Sequence, residues 1–237
     1  MISLLHPSYQ RPEKSFATVT KWVQKSGSKD FEFIISLDEA DTKKEVYLEI
    51  YTPEVLSALN ARIVFLNKRN AIQAINEAAR VSEGNILIVV SDDTDCPENW
   101  VQTINQATVS KQDFVMKVYD NIQKWIVTMP IMDRAYYNRY GYVYNPIYRH
   151  LFCDAELAHV AEITGKLIFR NDITFPHLHY SVTKEKRDAV SEASDATCNE
   201  GKAIYLQRVR DKFGLNGNVD LWKISNQSHI NWLKQSL

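Results

Sequence analysis

The chain has 237 residues, 45% hydrophobic and 24% charged, with a formal net charge of -1. Those proportions are ordinary for a soluble globular protein, and the near-neutral balance offers no global basic field for nucleic acid, leaving room only for a local basic groove. Cys96, Cys153 and Cys198 form no CxxC pair, which argues against structural zinc and for reduced thiols. In chain order, residues 2–6 (ISLLH) read as a strand. Residues 12–27 read as a helix from Pro12 to Gly27, with Phe16, Val19, Trp22 and Val23 at helical spacing. Strands follow at 31–38 (FEFIISLD) and 61–67 (ARIVFLN). A helix begins at Asn70, with Ile72, Ile75 and Ala79 on one face and Gly84 as its stop. Residues 85–92 (NILIVVSD) are the most apolar strand. Near-continuous apolar strands separated by helices predict an α/β fold with a mainly parallel sheet covered on both faces.

The second half reads differently. Residues 113–133 suggest two strands around a turn at Asp120-Asn121. Residues 134–150 are aromatic and basic, part helix and part loop. CDAELAHVAEITG is a helix ending at Gly165, residues 166–181 return to strand and loop, and the remainder is helical and polar. No linker is visible, so one domain over 1–237 is expected, with a nucleotide-binding half (1–110) and an acceptor-shaping half (111–237). The N-terminus has no basic n-region. No run approaches the roughly 20 apolar residues needed to span a bilayer, so a soluble, cytoplasmic protein is expected.

Ligands bind at the carboxyl ends of parallel strands. Three polar clusters lie there: His6 to Tyr9, Asp38 to Asp41, and Asp92 to Asp95. In VVSDDTDCPENW, Asp92, Asp93 and Asp95 repel one another unless a cation is present. An oxygen-only set suits Mg²⁺ or Mn²⁺ completed by phosphates. The plainer alternative is a solvated loop in which one aspartate caps the helix expected from Pro97.

GNILIVVSDDTDCPENW resembles the DxD region of GT-A nucleotide-sugar glycosyltransferases, family 2 in particular, where a buried strand ends in paired acids followed by Pro and often Trp. ISLLHPSYQRPEKSF, FIISLDEAD, NAIQAINEAARVSEGN and HLFCDAELAHVA resemble, in order, the nucleotide-cupping first strand and loop, the second strand with its base-binding acid, the helix before the DxD strand, and the helix carrying the catalytic acid. The resemblance covers about residues 1 to 180. It departs from the family at one point. Anchored on Gly84, the first DxD acid falls on Ser91, leaving Asp92-Asp93; by spelling, the pair is Asp93-Thr94-Asp95. Asp93 is common to both.

The resemblance implies a GT-A, Rossmann-like sheet with a helical C-terminal region, and a metal-dependent inverting glycosyltransferase. The sugar would pass from a nucleotide-sugar donor, UDP-linked by expectation, to a hydroxyl acceptor. Mn²⁺ or Mg²⁺ would be held by Asp93, Asp95 and a late histidine, His177 or His179, with His179 favoured for its neighbour Tyr180. Pro7, Ser8, Tyr9, Arg11, Asp38, Asn70 and Asp92 would meet the nucleotide, with Arg69 and Asn76 as further candidates. Each has an ordinary alternative, such as a turn acid for Asp38, a surface arginine for Arg11 and a helix cap for Asn70. Asp154 takes the base position, although it and Glu156 equally suit the first turn of a helix. Residues 136–149 either stack on an acceptor or pack as an aromatic subcore. Three rival readings remain. One is a virus-type transferase acting on hydroxymethylated DNA bases in a host cytoplasm, for which TKEKR and the Tyr/Arg stretch leave room. Another is a nucleotidyltransferase, which HPSYQRPEK disfavours for want of glycines. The last is a non-catalytic nucleotide- or sugar-binding module.

Overall fold

The computed structural model describes residues 1–67, 70–179, 183 and 188–237. Among these, strands β1 (Ile2–Pro7), β2 (Phe31–Asp38), β3 (Ala61–Leu66), β4 (Ile86–Val89), β5 (Val115–Tyr119), β6 (Ile131–Asp133) and β7 (Leu167–Thr174) form one sheet in the order β3-β2-β1-β4-β6-β5-β7. β1 pairs in parallel with β2 and β4, and β2 with β3. Only β6 runs against the rest, antiparallel to β4 and β5, while β5 pairs in parallel with β7. The helices are α1 (Pro12–Gln24), α2 (Lys44–Ile50), α3 (Pro53–Ala58), α4 (Ala71–Val81), α5 (Trp100–Thr108), α6 (Arg134–Tyr140), α7 (Cys153–Ile163), α8 (Ala189–Asp195), α9 (Cys198–Arg210) and α10 (Gln227–Ser236). None is long and apolar enough to cross a membrane.

Strand alternation divides the core in two. Phe33, Ile35, Ile88, Met116 and Ile131 face a cluster with Trp22, Tyr47 and Trp100. Leu5, Ile34, Leu87, Val115 and Met132 face the opposite cluster with Ile72, Ala158 and Tyr205. Strands so covered need apolar residues on both sides, which is why they read as continuous runs. Gly84 is needed where the chain enters β4. A Cβ there would lie 2.4 Å from Ser3 Oγ and 2.6 Å from the Ser3 amide nitrogen.

Residues 44–58, to which the sequence reading assigns no element, form α2 and α3, whose Tyr47, Ile50, Val55 and Leu56 join the cluster on one face of β2 and β3. Two local expectations differ from the structure. The helix expected from Pro97 starts at Trp100, because Asn99 takes a left-handed conformation at φ 55°. The turn expected at Asp120-Asn121 is real, with Asn121 at φ 70°, but it does not join two paired strands tightly. Residues 120–130 form a loop that buries Trp125 and Val127 before β6 inserts between β4 and β5.

Candidate active site

The loop after β4 is fastened to α1. Thr18 Oγ1 donates to the Asp92 carbonyl at 2.7 Å, and Trp22 Nε1 donates to the Thr94 carbonyl at 3.1 Å. Trp100 Nε1 in turn donates to the Trp22 carbonyl at 2.7 Å. His6, wholly buried at the end of β1, bonds Val90 O and Ser15 Oγ and lies 3.3 Å from Asp92 Oδ1. Ser8 Oγ donates to Asp92 Oδ2 at 3.2 Å. Asp92 Oδ1 is buried and accepts no hydrogen bond. The first loop and the acidic loop thus form one rigid edge.

A late segment completes that edge. Thr94 and His177 form an antiparallel bridge, flanked by Asp95 N to Pro176 O at 2.8 Å and Leu178 N to Asp93 O at 2.7 Å. This pairing sets His177 Nε2 3.3 Å from Asp93 Oδ2. The His179 ring centroid is 5.3 Å from that of His177. Of the two histidines, the one less favoured by its neighbours in sequence is therefore the one set against Asp93. Tyr180 and Arg69 lie outside the described residues.

The charges balance locally. Burial alone would raise the Asp93 carboxyl, but the His177 hydrogen bond and charge, a bond from Ser91 and the Arg11 charge outweigh it and hold the carboxyl at about 2. Burial opposes charging of His177, yet Asp93, Asp120 and Asp154 together raise it above its ordinary value. Asp154, in the first turn of α7, moves the other way. Burial and the nearby Asp120 push it up to about 6, against the helix amides and the His177 charge. The preceding Phe152 holds the left-handed conformation at φ 73°, a strain typical of functional turns. Asp120 anchors this corner. Its carboxylate accepts from the amides of Ile122 and Gln123 and from Thr128, and its carbonyl accepts the His177 amide.

Other expected residues have these contacts within the chain. Both oxygens of Asp95 face α1, 2.9 Å from Lys25 Nζ and 3.5 Å from Lys21 Nζ. Asn70 is the N-cap of α4 in a reciprocal capping box with Gln73. Asn76 accepts the amides of Val143 and Tyr144 and donates to the Tyr144 carbonyl. Asp38 ends β2 and accepts the Ala40 amide at 2.8 Å. Pro7 closes β1, and Tyr9 stands exposed in the first loop. Arg11 is engaged by Asp188 through Nε at 2.8 Å and Nη2 at 2.6 Å. In the stretch 136–149, Tyr136, Tyr137, Val143, Tyr144 and Tyr148 are buried, so much of it is the packed alternative. Glu156 is buried and satisfied by Tyr148, Asn145 and Arg208. Sequence reasoning passed over His6, Asp120 and Asp188. An acid after an apolar strand end was a signal for Asp120, and the polar cluster His6 to Tyr9 at a strand end was one for His6; none pointed to Asp188.

Among the described residues, no three His, Cys, Asp or Glu side chains converge as a complete metal site. Asp93 supplies a hard oxygen ligand of the kind a divalent ion accepts when phosphate oxygens complete its shell, and His177, once deprotonated, a borderline nitrogen ligand that suits Mn²⁺ better than Mg²⁺. The buried, hydrogen-bond-free oxygen of Asp92 in the same loop adds unspent negative charge. The donor set fits such an ion in the presence of a diphosphate.

No protein-family model matches the sequence, and no curated protein sequence matches it. Solved structures do. The mannosyltransferase PcManGT from Pyrobaculum calidifontis, in complex with GDP-Man and Mn²⁺, aligns at TM-score 0.70 and 12% identity, over 94% of this chain and 66% of that one. S. aureus TarS 1–349 in complex with UDP aligns at TM-score 0.58 and 13% identity, over 98% and 77%. The same fragment with UDP-GlcNAc aligns at TM-score 0.57 and 14% identity, over 79% and 59%. The chain thus spans less than two thirds of the mannosyltransferase and of the UDP-GlcNAc-bound fragment. These likenesses, with the seven-stranded, mostly parallel sheet, give the chain the GT-A fold seen in nucleotide-sugar glycosyltransferases.

Proposed function

We propose that this protein is a metal-dependent, inverting glycosyltransferase that uses a nucleotide-sugar donor, UDP-linked in the leading reading. The observation that carries it is the junction of two unlike groups at the carboxyl edge of the sheet. Asp93, paired with His177, is kept ionised, while Asp154 is tuned to about 6. Asp93 and His177 would hold Mn²⁺ or Mg²⁺, which supplies charge neutralisation for a departing nucleoside diphosphate. Ser8, Tyr9 and Asp38 line the loop ends where base and ribose would rest, and Arg11 answers the diphosphate. Asp154 accepts the acceptor hydroxyl's proton as that oxygen bonds the anomeric carbon. The bond from that carbon to the diphosphate breaks on the opposite face and its electron pair leaves with the nucleotide. A carboxyl near 6 is mostly ionised at neutral pH and still basic enough to take a proton. Asp95 takes a supporting place through its lysines.

The test is nucleotide release and product mass from a panel of UDP-, GDP- and CMP-sugars with Mn²⁺ and a library of hydroxyl acceptors. Wild type turns over at least one donor, Asp154→Asn binds it without turnover, and Asp93→Asn loses metal-dependent nucleotide binding. Nucleotide binding with no turnover on any donor points to a non-catalytic module. Full activity in Asp154→Asn removes the base assignment.

A further inference from the structure

Arg11 stands beside Asp92 and Asp93, where an anionic diphosphate would lie, yet its guanidinium faces away from them in its hydrogen bonding. Nε and Nη2 donate to the two oxygens of Asp188, and Nη2 also reaches Ser191 Oγ at 3.0 Å. Asp188 is the N-cap of α8, and its Oδ1 also accepts from the Ser191 amide and hydroxyl. One turn further, Ser194 Oγ bonds Nδ1 of His150, whose burial lowers its basicity and keeps it a neutral imidazole. Residues 188, 191 and 194 therefore present one polar face of α8 to the Arg11 guanidinium and the His150 ring.

α8 fully buries none of its side chains. A short helix without buried apolar area gains little from packing, so its polar contacts decide where it sits. Those contacts are a carboxylate and hydroxyls on an arginine and a histidine, the same exchange that a phosphate group makes with such side chains.

We propose that α8 is an intramolecular competitor of the donor: Asp188 occupies Arg11 until a nucleoside diphosphate takes the guanidinium and displaces the helix face. This rests on the donor site proposed above. The carboxylate of Asp188 opposes an incoming anion twice, by filling the bidentate fork of Arg11 and by repelling the diphosphate directly.

Asp188→Asn tests the idea cleanly, because asparagine caps a helix as well as aspartate does while removing the charge. Titration of the full chain with UDP and GDP, each with Mn²⁺, should show roughly two- to tenfold tighter binding in Asp188→Asn than in wild type, the range expected for a partly exposed ion pair. Hydrogen exchange at residues 188–196 should rise when nucleotide binds wild type. Unchanged or weaker binding by Asp188→Asn, or slower exchange in 188–196 on binding, overturns the competitor role and leaves the donor site standing. Failure of wild type to bind either nucleotide overturns the donor site and this inference together.

Discussion

Two carboxylates share the first turn of α7 and stand in opposite surroundings. Asp154 looks toward the sheet edge, where the amides of its own helix turn bond it and where Asp120 adds a like charge. Glu156 looks into the C-terminal half, where Tyr148 donates at 2.7 Å, Asn145 at 2.8 Å, and Arg208 lies across both oxygens at 3.0–3.2 Å. Arg208 is itself anchored on the Phe213 carbonyl at 2.7 Å. One acid is raised toward neutral pH by burial and the nearby Asp120; the other is held by a tyrosine, an amide and an arginine. The partners around each buried acid separate a group fit for proton transfer from one that fastens helices together.

The comparison breaks most sharply on activity. Asp154→Asn should lower turnover by about 10²–10⁴-fold, the usual weight of a general base, with nucleotide binding kept. Steady-state rates against single-turnover binding separate the two effects. Glu156→Gln should do the reverse. It leaves the partly buried Arg208 charge without its carboxylate and should cost about 1–3 kcal/mol in urea denaturation, while turnover per folded molecule stays within about tenfold. Similar losses of turnover in both variants would end the distinction between the two acids.

A smaller effect sharpens the same contrast through pH. The folded-state value of Asp154, about 6, lies above its unfolded value near 3.9. The folded state therefore binds the proton more tightly. Stability from this group is present below about pH 4 and is lost as pH rises through 6. The titratable groups whose charge acts on or responds to Asp154 include Asp120, His177, Cys153, Tyr144 and Tyr205. Asparagine carries no such cost. In metal-free protein, Asp154→Asn should match wild type near pH 4 and exceed it by about 3 kcal/mol above pH 7. A variant less stable than wild type at pH 7.5 would show that the carboxylate is not strained there.

The sheet and most helices were legible because strands buried on two faces must be apolar and helices must repeat their apolar positions. α2 and α3 were not: the sequence reading assigns no element to residues 44–58, whose short helices pack into the cluster on one face of β2 and β3. At the site, Asp93 and Asp154 were marked by their places at a strand end and a helix start. Their partners were marked only in part. His177 was one of two candidate histidines, and only the bridge across more than 80 residues sets it against Asp93; Asp188 reaches Arg11 across 177 residues and was not marked. Long-range pairing of side chains leaves no trace in local spacing, which is also why Asp95 stood beside Asp93 as a metal candidate.

The smallest expected effect decides which acids form the working pair. Spelling makes Asp93 and Asp95 one motif, but the structure divides them. Asp93 meets His177, while Asp95 meets Lys25 and Lys21 on α1 and accepts the Cys96 amide at 2.7 Å. The lysine donors hold the Asp95 carboxyl below its ordinary value despite partial burial. Ion pairs this exposed contribute up to about 1 kcal/mol and fade with salt. Asp95→Asn should therefore lose at most about 1 kcal/mol of stability at low ionic strength and less in 1 M NaCl. Its Mn²⁺ dependence of nucleotide binding should shift by no more than about threefold, because Asp95 acts by pinning the loop to α1. A shift as large as that of Asp93→Asn would return Asp95 to the metal and show that its lysines release it when the donor arrives.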